Sequence, residues 1–426
     1  MTGDVRPSAF TRQNHSEFGF HGVFCCIFPA LGIRRYVDSV VFAVWTFNFR
    51  RLTFGSIMAS IALDATYSVD PQPSGIAVYS RRLIESLAAI DSPHRFILCY
   101  RLSRFKRRRE FLRPTKLPGA QGPEFSTRLY QEPLTFWLPW QARLFHSLAQ
   151  RPPGFHFQKE VVTVFDVFPI TGREYSTPDF QRKFSALLRE AVARASRVIT
   201  LSESTARDLT EHVAAPREKI RVIPGGVDLP ATLLNAEERL EERERWVGKG
   251  NEMVLSVGVL QTRKNTLNAV RAVSSLPANY RLVLAGGNGY GSEAIHDFIR
   301  GERLQSRVAT PGYVSEHRLP RLYQAASVFL FPSFEEGFGL PILEAMAYGV
   351  PVVASNTSCL PEVGGDVAIY ADPHNPDEIA AQVRRAVEDT GLRESMIERG
   401  LARAHEFSWR RAAEATLQVY EELLGS

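Results

Sequence analysis

The chain has 426 residues, 44% hydrophobic and 23% charged, with a formal net charge of +5 and a pI near 9.0. That length suits two ordinary domains, and the composition is that of a globular protein, excluding a disordered or fibrous chain. No uncharged apolar run reaches the roughly eighteen residues that a membrane-spanning helix needs, so none is expected. The four cysteines, Cys25, Cys26, Cys99 and Cys359, form no C-x-x-C pair. Neither a zinc site nor a disulfide framework is therefore indicated, and a reducing cytoplasm is the default location.

Residues 1–57 lack clear periodicity and mix aromatics, arginines and glycines. The favoured reading is a poorly structured extension, with Met58 as the physiological start. A targeting or anchoring segment is the alternative, since the apolar stretch from Phe18 to Ile33 follows Arg6 and Arg12.

From Met58 strands and helices alternate. Ser60 to Ala65 reads as a strand, Pro71, Pro73 and Gly75 lie in a loop, and Ile76 to Ile90 has helical spacing. Strand, glycine-containing loop and helix is a nucleotide-fold opening, although a lone glycine loop also suits a plain turn. Arg95 to Tyr100 is a second strand. Arg101 to Lys116 then carries Arg101, Arg104, Lys106, Arg107, Arg108, Arg109, Arg113 and Lys116 against Glu110. The run is either a solvated surface segment or a peripheral contact with an anionic membrane. No nucleic-acid motif accompanies it.

Ala142 to His146, Glu160 to Phe165, Arg197 to Leu201 and Lys219 to Ile223 read as further strands. Phe180 to Ala195 reads as an amphipathic helix, and Ser202 as the cap of a helix from Glu203 to His212. His146 is expected to be a satisfied structural histidine, with a place in a cleft as the alternative. Asn235 to Gly250 is a charged helix or solvated connector.

Beyond it the alternation resumes. Strands are expected at Glu252 to Val257, Arg281 to Ala285, Arg307 to Thr310, Val328 to Phe331 and Val367 to Tyr370, with helices from Thr266, from Asn375 to Val387 and from Trp409 to Leu424. The pattern implies two doubly wound α/β domains. Lys264 follows a strand and a glycine turn at a helix start, where it and Arg263 suit a diphosphate; surface charge at a helix start is the plainer reading.

The stretch from Ser333 to Ser355 carries the sharpest signal. Gly337 and Gly339 permit a tight turn. Pro341 suits the first helical position, which puts Leu340 at the cap with no side-chain oxygen to offer. Such an uncapped start binds anions. Glu336 and Glu344 flank it and suit hydroxyls better than phosphate, so a ligand with both, a nucleotide sugar, fits. An ordinary loop–helix–strand unit with exposed acids is the alternative.

The segment resembles the carboxylate signature of retaining glycosyltransferases of the GT-B group, often called family 4: Glu336, Gly337-Phe338-Gly339, Leu340-Pro341 and Glu344, with seven residues between the glutamates. The resemblance covers about residues 58–426. It implies an acceptor-side Rossmann-like domain at 58–228, a charged linker at 229–250, a donor-binding Rossmann-like domain at 251–408, and a final helix, 409–426, returning to the first domain. It also implies a hexose moved with retention from a GDP- or UDP-sugar to a hydroxyl of a glycan or lipid-linked acceptor. No cofactor and no metal are expected beyond the nucleotide sugar.

By resemblance Gly75, Gly258 and Lys264 meet donor phosphates. Glu336 lies near the donor sugar and Glu344 on the ribose. The amides of Phe338, Gly339 and Leu340 contact sugar and phosphate, and Tyr313 and Val314 lie beside the base. Two departures stand out: Phe165 in Phe165-Asp166 replaces the family's usual histidine, and Val259 replaces an arginine that Arg263 is expected to make good. They motivate one alternative, a catalytically impaired nucleotide-sugar binder; a nucleotide-sugar epimerase on the same fold is another.

Overall fold

The computed structural model describes residues 58–70, 74–108, 123–131 and 135–425. The expected N-terminal extension, Pro71, Pro73 and the 109–116 part of the basic run lie outside the described residues. The described residues belong to one compact unit built on two parallel sheets.

The first sheet holds β1 (Ser60–Asp64), β2 (Arg95–Tyr100), β3 (Glu124–Leu129), β4 (Leu144–Ser147), β5 (Lys159–Val164), β6 (Arg197–Thr200) and β7 (Ile220–Val222), in the order β3-β2-β1-β4-β5-β6-β7. The second holds β8 (Glu252–Val257), β9 (Tyr280–Ala285), β10 (Val308–Gly312), β11 (Val328–Phe331), β12 (Val352–Ser355) and β13 (Ile369–Ala371), in the order β10-β9-β8-β11-β12-β13. Apolar runs such as VFLF of β11, buried at every residue, are what a strand covered on both faces requires. Strand order reverses at β1/β4 in the first sheet and at β8/β11 in the second. Crevices at such switch points are where open α/β sheets take ligands.

The main helices are α1 (Gly75–Ala89), α2 (Pro178–Arg194), α3 (Glu203–Val213), α4 (Ala236–Val247), α5 (Thr266–Ser275), α6 (Ser292–Gly301), α7 (Leu319–Ala325), α8 (Leu340–Ala347), α9 (Pro376–Glu388), α10 (Thr390–His405) and α11 (Trp409–Gly425). Ser202 caps α3 as expected, accepting from the Thr205 amide at 3.1 Å.

Two elements differ from the sequence reading. Strand β3 pairs with β2 at the sheet edge, where no strand is expected. The charged segment at 235–250 is not a solvated connector. Its helix α4 opens on a capping box of Asn235 and Glu238, and Arg239 Nη2 donates to the Tyr348 carbonyl at 3.0 Å, just past α8. Arg243 Nε donates to the Ala325 carbonyl at 2.8 Å. The arginines satisfy orphan carbonyls at helix ends in the second half.

Helix α11 returns to the first sheet. The Trp409 and Tyr79 rings meet at 6.0 Å, and Arg221 Nη2 donates to Glu422 at 3.0 Å. His146, at the end of β4, is fully buried, with Nδ1 bonded to the Tyr420 hydroxyl at 2.6 Å and Nε2 to the Thr163 hydroxyl at 2.8 Å. Burial pushes its pKa down to about 3, so it stays neutral. Both ring nitrogens are used within the fold, as the structural reading of His146 expects. Tyr420→Phe leaves one of them without its partner and should destabilise the protein by about 1–3 kcal/mol. A lowered urea midpoint checks this, and an unchanged midpoint contradicts it.

Candidate functional site

The β8/β11 switch point is built from two loops. After β8 the chain passes Gly258, Val259 and Leu260 into a single 3-10 turn, Thr262–Lys264. Asn265, held left-handed at φ 53°, ends that turn and donates from Nδ2 to the Pro332 carbonyl at 2.9 Å and the Pro373 carbonyl at 2.7 Å. The first bond ties the loop to the one leaving β11, the second to the one leaving β13. Gly258, Val259, Lys264, Thr266 and Phe331 line one small pocket there.

Glu336 sits where the loops meet. Its side chain is 7% exposed; Arg263 Nη1 donates to Oε2 at 3.0 Å and Lys264 Nζ donates to Oε1. Burial alone raises a carboxyl pKa. Here Arg263 and then Lys264 outweigh it and hold Glu336 at about 2. The Lys264 ammonium is itself pushed down, burial outweighing the attraction of Glu336. The Arg263 guanidinium also donates to the Glu335 carbonyl and lies 4.6 Å over the Phe168 ring of the first half. It therefore holds Glu336 in place, whereas Lys264 reaches both Glu336 and the pocket.

The loop then turns into α8. Gly339, at φ 96°, is the cap residue and Leu340 the first helical residue, one position earlier than expected. The left-handed cap is what glycine supplies there. No side chain caps the helix; Pro341 has no N–H and the Ile342 amide donates to the Gly339 carbonyl at 3.0 Å, so the Leu340 amide is the one at the helix start left for a ligand. Gly337 is dictated by contact: a Cβ at that position would fall 1.7 Å from the Phe165 carbonyl oxygen across the junction. The Gly337 carbonyl accepts from the Ser202 hydroxyl at 2.8 Å and the Thr205 hydroxyl at 3.3 Å. Phe338 is buried against Phe407 at 5.9 Å between ring centres.

The remaining carboxylates differ in setting. Glu335 accepts from the Thr171 hydroxyl at 2.5 Å, and burial pushes its pKa up to about 7. Glu344, one turn into α8, accepts from the Tyr323 hydroxyl at 2.7 Å, and burial raises its pKa as well. Phe165 turns its ring onto Tyr79, at 5.1 Å, so no polar group stands where relatives of the motif carry histidine. Val259 and Tyr313 are both exposed.

Gly75, Tyr313 and Val314 are not drawn into the Glu336 cluster. Gly75 opens α1 behind the Ser74 cap, with open space where a side chain would stand. Tyr313 and Val314 follow β10, two strands from β8. Sequence reasoning passed over Gln150, Ser202 as a junction bond, Thr205, Tyr323 and Ser358, whose hydroxyl accepts from the Glu336 amide at 3.1 Å. Among the described residues no helix is long and apolar enough to cross a membrane.

Two parallel-sheet halves, a return helix onto the first, and a glutamate–lysine–arginine cluster beside a glycine-opened helix define a glycosyltransferase of the GT-B type. Residues 238–403 match the family described as Glycosyl transferases group 1, and residues 73–230 match Glycosyltransferase Family 4; the chain belongs to this family. The O-antigen chain mannosyltransferase B of Escherichia coli is 31% identical over 292 residues, 67% of this chain and 77% of that protein. Among solved structures, the sucrose-phosphate synthase of Thermosynechococcus elongatus shares the fold with a TM-score of 0.68 at 22% identity, covering 86% of this chain and 99% of that one. Anabaena HepE in complex with UDP-glucose does so with a TM-score of 0.67 at 18% identity, covering 86% and 100%.

The depressed Glu336 carboxyl has a consequence for stability. A folded pKa below the ordinary 4.5 stabilises the folded state fully above pH 4.5, and that contribution is lost as pH falls toward 2. It amounts to on the order of 3 kcal/mol. The gap in thermal midpoint between the wild type and Glu336→Gln should therefore be constant above pH 4.5 and narrow below it. A gap independent of pH contradicts the pairing.

Proposed function

We propose that the chain is a retaining hexosyltransferase that moves a hexose from a nucleotide-sugar donor to a hydroxyl of a glycan or glycolipid acceptor. The observation that carries this is Glu336, held ionised between Arg263 and Lys264 at the β8/β11 switch point, beside the uncapped start of α8. The donor diphosphate lies between Lys264 Nζ and the start of α8. Gly258 leaves room for it on the pocket side. Glu336 accepts a hydroxyl of the donor sugar, and Glu344, steadied by Tyr323, accepts from the ribose. Tyr313 and Val314 flank the base. Mannose is the first hexose to test, given the E. coli relative. UDP-glucose is the second, given HepE.

In the transfer, the acceptor hydroxyl oxygen bonds to the anomeric carbon as the bond from that carbon to the phosphate oxygen breaks. The acceptor proton passes to the leaving diphosphate, on the same face of the sugar, so configuration is retained. Lys264 and the helix start stabilise the charge that develops on the diphosphate, the part that a metal ion plays in other phosphate sites. Glu336 is no general acid: a carboxyl held at about 2 has no proton to give at neutral pH. The two glutamates are thus not the acid–base pair of a glycosidase.

Turnover of a panel of GDP-, UDP- and ADP-hexoses, read as nucleotide release with and without sugar acceptors, tests this. One donor class should turn over in an acceptor-dependent way, with kcat/KM lowered by about a hundredfold or more in Lys264→Ala and in Glu336→Ala. Acceptor-independent isomerisation of the donor, or variants as active as the wild type, would overturn the reading.

A further inference from the structure

Four of the carboxylates near the junction between the halves are Asp166, Glu335, Glu336 and Glu344. Three are engaged, by Thr171, by Arg263 with Lys264, and by Tyr323. The Asp166 carboxylate has no hydrogen-bond or ion-pair partner among the described residues. It is partly exposed and comes from the first half. The place is tight: a Cβ on Gly337 would lie 3.1 Å from Asp166 Cβ. Burial raises the Asp166 pKa; Arg263 and Lys264 oppose the rise and Glu336 adds to it, so the carboxyl stands within the field of the Glu336 cluster.

The main chain here is held in an unusual way. Strand β5 ends at Val164, so the amides of Phe165 and Asp166 lie beyond its ladder. Both donate to a single acceptor, Gln150 Oε1, at 2.6 and 3.1 Å. Gln150 itself is left-handed, at φ 56°. Five non-glycine residues among those described have that conformation, and three of them, Gln150, Asn265 and Ser358, bond the loops of this junction. A non-glycine residue persists there only where its surroundings impose it, and such residues gather at functional sites.

We propose that Asp166 is the acceptor-side carboxylate of the transfer site, accepting a hydrogen bond from a hydroxyl of the incoming sugar, and that Gln150 is the positioning residue that fixes it there. The inference rests on the transferase reading. A carboxylate that is partly exposed, without a partner among the described residues and beside the cluster suits a neutral polyol; when ionised it would repel a second phosphate. By accepting from the Phe165 and Asp166 amides, Gln150 fixes the main chain from which the Asp166 carboxylate projects.

The test compares wild type, Asp166→Asn, Gln150→Gly and Gln150→Glu, using the hexose donor that the panel identifies and methyl α-mannoside as acceptor. Glycine accepts the left-handed backbone but has no acceptor oxygen, whereas glutamate keeps an oxygen for both amides. Asp166→Asn and Gln150→Gly should each raise the acceptor KM by about tenfold or more. The Kd of the free nucleoside diphosphate, by calorimetry, should stay within about twofold of the wild type. Gln150→Glu should restore the acceptor KM. Unchanged acceptor KM in Asp166→Asn overturns the inference. So does loss of thermal midpoint and of nucleotide affinity in step, without rescue by Gln150→Glu, which marks a purely structural role. A wild-type chain silent with every donor overturns the transferase reading, and this inference with it.

Discussion

A glutamate without room for solvent, clasped by an arginine and a lysine from one short turn, is the constraint on which the second half depends. Removing one partner of such a buried pair leaves an uncompensated charge, at a cost of about 3–5 kcal/mol. The arrangement therefore demands all three residues together, and it fixes both loops at the β8/β11 switch point. It also stores the charge balance of a binding site. Without a ligand, Glu336 neutralises Lys264. In the proposed reaction the donor diphosphate competes for the same ammonium, while Arg263, bonded to Glu336 and to the Glu335 carbonyl, keeps the carboxylate in place.

The same loop joins the two halves. Gly337 touches the Phe165 carbonyl, its own carbonyl takes the Ser202 and Thr205 hydroxyls, and Arg263 stacks on Phe168. Close by, both oxygens of the Glu362 carboxylate accept from the Glu203 amide at the start of α3, at 2.9 and 3.0 Å. The loop of the second half is thus seated on the first half by polar contacts at the rim and by the Phe338 ring within. Helix α11 closes the arrangement from the far side, through Tyr420 on His146 and Trp409 on Tyr79.

Much of this was legible in the sequence, because parallel strands buried on both faces write themselves as apolar runs. What was not legible has physical causes. Strand β3 lies at a sheet edge with two exposed residues among its six, Glu124 and Arg128, and carries a weak apolar signal. Helix α4 reads as a solvated connector because sequence does not reveal that Arg239 and Arg243 spend their charge on helix-end carbonyls. Arg263 reads as a phosphate ligand for the same reason, since its partners come from the β11 loop and from Phe168. Gln150 left no trace at all: a glutamine in a left-handed turn looks like any other. The family signature identified Glu336 and Lys264, but only the fold shows that they hold each other.

The most direct measurement is a structure of the chain with a nucleoside diphosphate bound. The account predicts that the diphosphate lies against the start of α8, with Lys264 Nζ moved onto a phosphate oxygen and Arg263 still on Glu336. A nucleotide bound away from α8, or a Lys264–Glu336 pair unchanged with no phosphate contact, would contradict it.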